Sequence, residues 1–253
     1  MNFLRIASTG VLLVGLVACG TNQPEGASEA AGTAASGPVA PLPFNAGGLL
    51  AGSASPKLPD GEPGKVSVIQ IGPLDTKPSG MATLPFAFRN NTSEGISHVD
   101  WSGTARSAGS IVATGSSQGT IPAQVKPGEI GLAFIYFDGT SKLPPPDTDY
   151  SFTVNTSPAN QDSYNTAPLK VTEANTSGDA VVGSAVNQTG ESVAGPFSVA
   201  VYCFDGDKLV GQHGSYAQQD GPIAADGQVT FTTALYGADC PIFAVGVGGF
   251  FEN

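Results

Sequence analysis

Short runs of alternating apolar and polar residues fill the chain from Lys65 onward, and turn-forming residues separate them. In the first half this pattern predicts strands at 66–71, 84–89, 96–105, 110–114, 130–137 and 150–154. In the third of these runs, Val99 and Trp101 fall on one face and His98 and Asp100 on the other. No long stretch has a helical period, and frequent prolines would break most helices. The pattern therefore predicts an all-β protein.

The second half of the chain repeats this arrangement. Its pattern predicts strands at 169–171, 179–187, 196–204, 208–211, 229–235 and 242–250. The turn Asn90-Asn91-Thr92 recurs as Asn187-Gln188-Thr189, and Pro127-Gly128-Glu129 aligns with Asp226-Gly227-Gln228. An internal repeat of this kind favours two tandem β-sandwich domains, at 65–160 and 161–253.

The N-terminus has the organisation of an export signal. Arg5 precedes an apolar run over 6–18, which is too short to span a hydrocarbon core. Leu16-Val17-Ala18-Cys19 resembles the bacterial lipobox, in which the cysteine receives a diacylglyceryl group and becomes the new N-terminus. This resemblance implies that residues 1–18 are a signal peptide and that Cys19 is the site of lipid attachment. The chain is then expected on the extracytoplasmic side of a bacterial cell membrane, held by its acyl chains.

Residues 19–64 have the composition of a linker. Of the 45 residues from 20 to 64, 29 are Gly, Pro, Ala or Ser, and no strand or helix period is visible. Such a segment buries too little apolar surface to offset the entropy of ordering it. We therefore expect a disordered tether, in which Leu42-Pro43-Phe44 and Leu49-Leu50 either dock a partner or pack loosely on the folded part.

Net charge excludes one class of partner. The chain carries 10 Lys and Arg against 21 Asp and Glu, a formal charge of −11. Nucleic acid binding requires clustered basic residues, so no nucleic acid partner is expected.

A family resemblance appears in the second repeat. The segments 178–190, 196–212 and 225–231 are similar to the FxLYD-type domain, a small Ig-like sandwich of bacterial secreted proteins and lipoproteins. Phe204-Asp205 stands where that family has its aromatic-Asp pair, whereas Trp101-Ser102 stands at this place in the first repeat. The resemblance implies two Ig-like domains outside the cell, and it implies no enzymatic activity.

With Cys19 lipidated, Cys203 and Cys240 remain as an even pair in an exported domain. This favours a disulfide bond between them. Two buried free thiols or a reactive pair are the alternatives, although a redox role would favour closer spacing.

Few residues form a recognisable chemical constellation. His98 and Asp100 share a strand face but have no evident third metal ligand, so no metal site is expected. His213, Ser215 and Asp220 allow a catalytic triad by residue type only, and no GxSxG motif is present. We expect no enzyme activity and no cofactor.

These observations favour a membrane-anchored lipoprotein that acts as a binding module for an envelope protein or glycan. The alternative is a carrier that holds a lipid or another hydrophobic ligand in a cavity between sheets, because apolar runs such as 132–137 could line one. A hydrolase that uses His213 is a third hypothesis.

Overall fold

The computed structural model describes residues 39–76, 81–138, 144–145 and 147–252, which form strands, turns and loops. The prediction of an all-β protein is confirmed. This part of the chain contains no helix long and apolar enough to cross a membrane. The predicted signal peptide (1–18), Cys19 and residues 20–38 of the predicted tether lie outside the described residues.

Each predicted strand has a counterpart in the structure. The first half contains β1 (Ala51–Gly52), β2 (Val66–Ile71), β3 (Asp75–Thr76), β4 (Ala82–Asn90), β5 (Ile96–Ser107), β6 (Ser110–Ile121), β7 (Ile130–Phe137) and β8 (Asp149–Pro158). The second half contains β9 (Thr166–Thr176), β10 (Ala180–Val186), β11 (Val193–Asp205), β12 (Lys208–Tyr216), β13 (Gln228–Ala234) and β14 (Ile242–Phe251).

The strands form two antiparallel sheets, one from each half of the chain, except that β1 joins the second sheet by pairing with β14. The first sheet has the order β2-β4-β7-β6-β5-β8, and the second has the order β12-β11-β14-β9-β10-β13. In each half the same two ladders recur: β2-β4-β7 and β6-β5-β8 correspond to β9-β10-β13 and β12-β11-β14. The ladders are joined through β6 and β7 in the first sheet, and through β9 and β14 in the second. Each sheet curls so that its two ladders face each other across a core, which is a sandwich arrangement.

Aromatic side chains fill the core of the first sheet. The ring of Trp101 lies 5.3 Å from that of Phe86 and 5.2 Å from that of Phe88, measured between centroids. Phe152 from β8 closes the cluster at 5.1 Å from Phe86. Each such ring contributes roughly 1.5–3 kcal/mol through the apolar surface that it buries. Val99 and Trp101, which the pattern places on one face of β5, both lie in this core.

The recurring Asn turn occupies the same place in both halves. The side-chain amide of Asn90 donates to the carbonyl oxygen of Val125 at 3.0 Å, and that of Asn187 donates to the carbonyl of Ile223 at 3.3 Å. In both turns the threonine two residues later donates its backbone N–H to the asparagine Oδ1 at 3.1 Å. The sequence repeat is thus also a repeat of hydrogen bonding.

A third apolar cluster lies between the two sheets. The outer face of β4 and β7 contributes Ala87 and Leu132, and the outer face of the second sheet contributes Tyr202, Phe204 and Ala244. Both faces of β7 are therefore covered, which explains its nearly continuous apolar sequence. All described residues belong to one compact unit, Ser36–Asn253.

The prediction of a disordered tether is wrong for residues 39–64, which we call the strap. Phe44 packs edge-on against Phe204 with 5.9 Å between ring centroids, and Leu50 is buried in the third cluster. Asn45 closes a turn by bonding both the backbone N–H and the carbonyl oxygen of Leu50, and β1 pairs with β14. The composition argument failed because the strap needs no core of its own. Its few apolar residues complete a cluster that the two sheets have already begun.

Arg89 fastens the strap to the first sheet. Its side chain is buried, with 2% of its surface exposed. Its guanidinium donates to the carbonyl oxygens of Leu42 (2.7 Å), Gly128 (2.8 Å), Pro59 (3.1 Å) and Leu58 (3.4 Å). Burial lowers the pKa of Arg89 from its ordinary value, because removal from water disfavours the charged form. The planar guanidinium has five N–H donors, so it can bond carbonyls near both ends of the strap at the same time.

Candidate binding groove between the two sheets

A groove follows the boundary between the sheets, beside the third apolar cluster. One wall is the end of β6, and the other is the outer face of β11 and β12. The central cleft has a volume of about 180 Å³. A neighbouring cleft of about 340 Å³ shares with it Gln118, Gly119, Thr120, Ser198 and Tyr216.

A third cleft, of about 410 Å³, extends the groove in the other direction. It shares Gln212 and Gly214 with the central cleft and reaches Tyr236. Because neighbouring clefts have lining residues in common, we treat the three as one surface, the inter-sheet groove. From Gln212 to Tyr216 alone, strand geometry gives a length of about 14 Å.

A β-bulge shapes the first wall. The register between β6 and β7 shifts between Ser117 and Thr120, and Gly119 adopts a φ of 117°. This φ favours glycine, and a bulge bends its strand away from regular pairing. Gln118 and Gly119 are exposed at this bend. The hydroxyl oxygen of Thr120 is buried and has no hydrogen-bond partner among the described residues.

Strand pairing sets the opposite wall. Tyr216 pairs with Ser198, and Gly214 pairs with Ala200, so these residues share the outer face of β11 and β12. Tyr216 leaves 67% of its surface exposed. Because Gly214 has no side chain, the wall is open between Gln212 and Tyr216. A Cβ atom at Gly214 would lie 3.3 Å from Nε2 of Gln212, which is the end of a mobile side chain.

Polar and aromatic groups stand at both ends of the groove. At one end lie His98 and exposed Asp100, and Nε2 of His98 is 3.1 Å from the carbonyl oxygen of Tyr164. At the other end lie Asp75 and Tyr236, whose side chain is 80% exposed.

The centre of the groove is neutral. Among the described residues that line the central cleft, none carries a formal charge. Tyr202 borders this cleft from the third apolar cluster, and burial raises its pKa well above the usual range of a phenol. The centre of the groove therefore offers amides, hydroxyls and aromatic rings, and its carboxylates lie at the two ends.

Of the predicted site residues, the cysteine pair is confirmed as a disulfide. Cys203 in β11 is bonded to Cys240, which lies before β14, and their Cα atoms are 4.9 Å apart. The bond joins the loop before β14 to the core of the second sheet. Cys19, the predicted lipid site, lies outside the described residues.

The structure places His98 and Asp100, the pair without a third ligand in the sequence, at one end of the groove. His98 and Asp100 both border the groove, but no group of three or more His, Cys, Asp or Glu side chains in the described ranges is placed to hold a metal ion.

The three residues considered for a catalytic triad lie on one strand and on the loop that follows it. His213 and Ser215 lie on β12, and the Ser215 hydroxyl is hydrogen-bonded to that of Thr233 at 2.7 Å. Asp220 lies in the loop after β12, and its carbonyl oxygen faces Gly195.

Sequence reasoning missed the groove residues Gln118, Ser198, Gln212, Gly214 and Tyr216. They are neutral and lie on three strands, so no spacing along the chain connects them. The glycine at 119 within a Ser-rich run was the one available signal, since an isolated glycine in a strand often marks a bulge.

No protein-family model matches this chain, and a search of curated proteins finds no match. The resemblance to the FxLYD-type domain and to the lipobox therefore remains a prediction from the residues.

Proposed function

We propose that this chain is a bacterial lipoprotein, anchored by acyl chains on Cys19, whose β-sheet head binds an envelope ligand without enzymatic chemistry. The observation that carries the binding proposal is the inter-sheet groove. It combines residues from both halves of the chain, and it presents an exposed tyrosine among polar neutral groups. Concave sites with a few converging polar groups are where proteins usually bind small ligands.

The strap bears on how far the head stands from a membrane. The described part of the chain begins at Val39, and 19 residues lie between Val39 and Cys19, compared with the 45 residues of the predicted tether. Fully extended, 19 residues span at most about 65 Å. The strap therefore shortens the distance at which the proposed head can stand from the membrane.

The described structure favours binding in the groove over transport of a hydrophobic ligand. Aromatic rings at van der Waals spacing fill the core of the first sheet, where a carrier would need space. The groove centre is lined by both amides and hydroxyls, which suit a polar ligand better than an acyl chain.

Anchoring is tested by metabolic labelling with a palmitate analogue. We expect label on the wild-type chain and none on Cys19→Ala. Equal labelling of the two chains would refute the anchor.

Binding is tested by cosedimentation of the purified full-length protein with detergent-extracted envelopes. The detergent is one whose headgroup is not a sugar. Extraction removes the lipid bilayer, so the anchor makes no contribution. We expect the wild type to sediment and Gly214→Leu, which fills the groove, to remain in solution. Gly221→Leu is the matched control, because a Cβ at Gly221 meets nothing within 4 Å. Equal sedimentation of both variants would refute the groove as the binding site.

A further inference from the structure

The side chains of the inter-sheet groove define the chemistry of its ligand. Gln118 and Gln212 each present an amide that both donates and accepts hydrogen bonds. Ser198 adds a hydroxyl that donates to the carbonyl oxygen of Gly248 at 3.4 Å and can accept from a ligand. Groups of this kind complement ligand hydroxyls, which are also donors and acceptors at once. A carboxylate or phosphate ligand would call for Lys or Arg, and the chain carries a charge of −11.

Tyr216 supplies the apolar part of the site. The residue is two-thirds exposed although it stands beside the groove wall, and Tyr236 is still more exposed at the far end. A tyrosine ring offers a rigid apolar face with a polar tip, which suits a ligand that is partly apolar and partly wet. Sugar rings have this character, because their C–H faces are apolar and their edges carry hydroxyls.

The side chains on the groove walls carry the choice of ligand class. Ser198 lies on β11, which is paired on both sides by β12 and β14. β12 is the terminal strand of its sheet, and β6 pairs with β5 only as far as Ser116, so unpaired strand edges of the described chain also border the groove. A peptide that binds by strand addition would use such an edge, whereas the amides and hydroxyls of the walls complement the hydroxyls of a glycan. The peptide probe in the test below distinguishes these two modes of binding.

From these observations we propose that the inter-sheet groove binds a neutral oligosaccharide chain, with Tyr216 stacking on a sugar ring and Gln118, Gln212 and Ser198 bonding its hydroxyls. The length of about 14 Å between Gln212 and Tyr216, extended by a cleft at each end, accommodates several sugar residues in a row. This inference rests on the proposed binding function and names the class of ligand.

The test is isothermal titration calorimetry of the full-length protein in a sugar-free detergent. The probes are the neutral hexasaccharides of β-1,4-linked glucose, α-1,4-linked glucose and β-1,4-linked N-acetylglucosamine. Hexagalacturonate and a neutral Gly-Ser hexapeptide complete the set. We expect saturable binding of at least one neutral hexasaccharide and weaker binding of hexagalacturonate and the peptide.

Matched variants locate the binding. Tyr216→Ala and Gly214→Leu are expected to weaken hexasaccharide binding by about tenfold or more, since a stacked ring contributes on that scale. Tyr164→Ala, at a tyrosine that is 79% exposed, and Gly221→Leu are expected to bind as the wild type does. Thermal unfolding checks that each variant is folded, and Gln118→Ala provides a second groove variant if Gly214→Leu is not.

Three results would overturn the proposal. They are no binding of any neutral hexasaccharide, tighter binding of hexagalacturonate or the peptide, and binding that the groove variants leave unchanged. A wrong assignment of the ligand class is distinguishable from failure of the proposed binding function. If Gly214→Leu still abolishes cosedimentation with envelopes while no hexasaccharide binds, the groove binds a ligand of another class.

Discussion

Arg89→Met tests whether the strap is an integral part of the fold. The substitution keeps an unbranched side chain of similar length and removes the guanidinium. The carbonyl oxygens of Leu42, Leu58 and Pro59 then lose the guanidinium as a donor. The carbonyl oxygen of Gly128 loses it too but still accepts from the backbone N–H of Leu42 at 2.9 Å. The strap should detach, because its carbonyls can regain hydrogen bonds only from water.

The magnitude follows from the number of bonds and from burial. A buried acceptor that loses its partner costs about 1–3 kcal/mol, and a hydrogen bond from a charged donor contributes about 1.5–3 kcal/mol. Relief of the desolvation of the cation offsets part of this loss. Detachment of the strap limits the loss of stability further. The carbonyls of the strap then bond to water, and only the carbonyl of Gly128 remains buried in the sheet. We expect the free energy of unfolding to fall by about 3–5 kcal/mol, which is typical of breaking a buried charged contact.

Limited trypsin digestion with mass spectrometry reads out the strap directly. Lys57 lies within the strap, and its backbone N–H donates to Asp207 at 2.7 Å. We expect Arg89→Met to be cut after Lys57 much faster than the wild type, while the sheets remain intact. Arg106→Met is the control, because Arg106 is an exposed arginine on β5. Equal cleavage of Arg89→Met and wild type, with an unchanged urea midpoint, would refute the role assigned to Arg89.

Two further predictions concern the second sheet. Replacing Cys203 and Cys240 together with alanine should lower the free energy of unfolding by about 4 kcal/mol, because their bond closes a loop across a sequence separation of 37 residues; a urea midpoint equal to that of the wild type would contradict this. Burial raises the pKa of Tyr202, so the unfolded chain loses its proton first as pH rises above about 10. The contribution of Tyr202 to the free energy of unfolding should be fully present below that pH and then fall by up to about 1.4 kcal/mol per pH unit. Urea titrations at alkaline pH should show a smaller decline for Tyr202→Phe. An identical decline in wild type and Tyr202→Phe would assign it to other groups.

The strands could be predicted because their residues carry a local signal. The ends of β2 and β7 coincide with the predicted limits 66–71 and 130–137, where apolar residues begin and stop abruptly. β6 runs on to Ile121, well beyond the predicted end at 114. Its extension is rich in Gly and Ser and has no clear alternation, so pairing with β5 and β7 holds it in the sheet.

The groove and the strap could not be predicted in the same way. Composition placed the strap among disordered segments, but Leu50 and Phe44 are ordered by apolar residues distant in the chain. In the sequence, Arg89 looks like an ordinary charged residue at the end of a strand. In the structure it donates to carbonyl oxygens of the strap. Contacts across such distances leave no spacing in the sequence to read.

By itself, the sequence determined that the chain is all-β and that its two halves repeat, and it favoured a bond between Cys203 and Cys240. The first two conclusions follow from local alternation and from a repeated turn. The third follows from the two cysteines that remain once Cys19 is assigned to lipid, and none of the three needs knowledge of the partner strands. Only the tertiary structure decided that the two sheets dock through a shared apolar cluster, and that a strap and a groove with an uncharged centre result. Docking depends on the outer faces of β4, β7 and β11 meeting at one place. Apolar burial is non-directional, so the sequence shows that these faces are apolar without showing which surface will cover them.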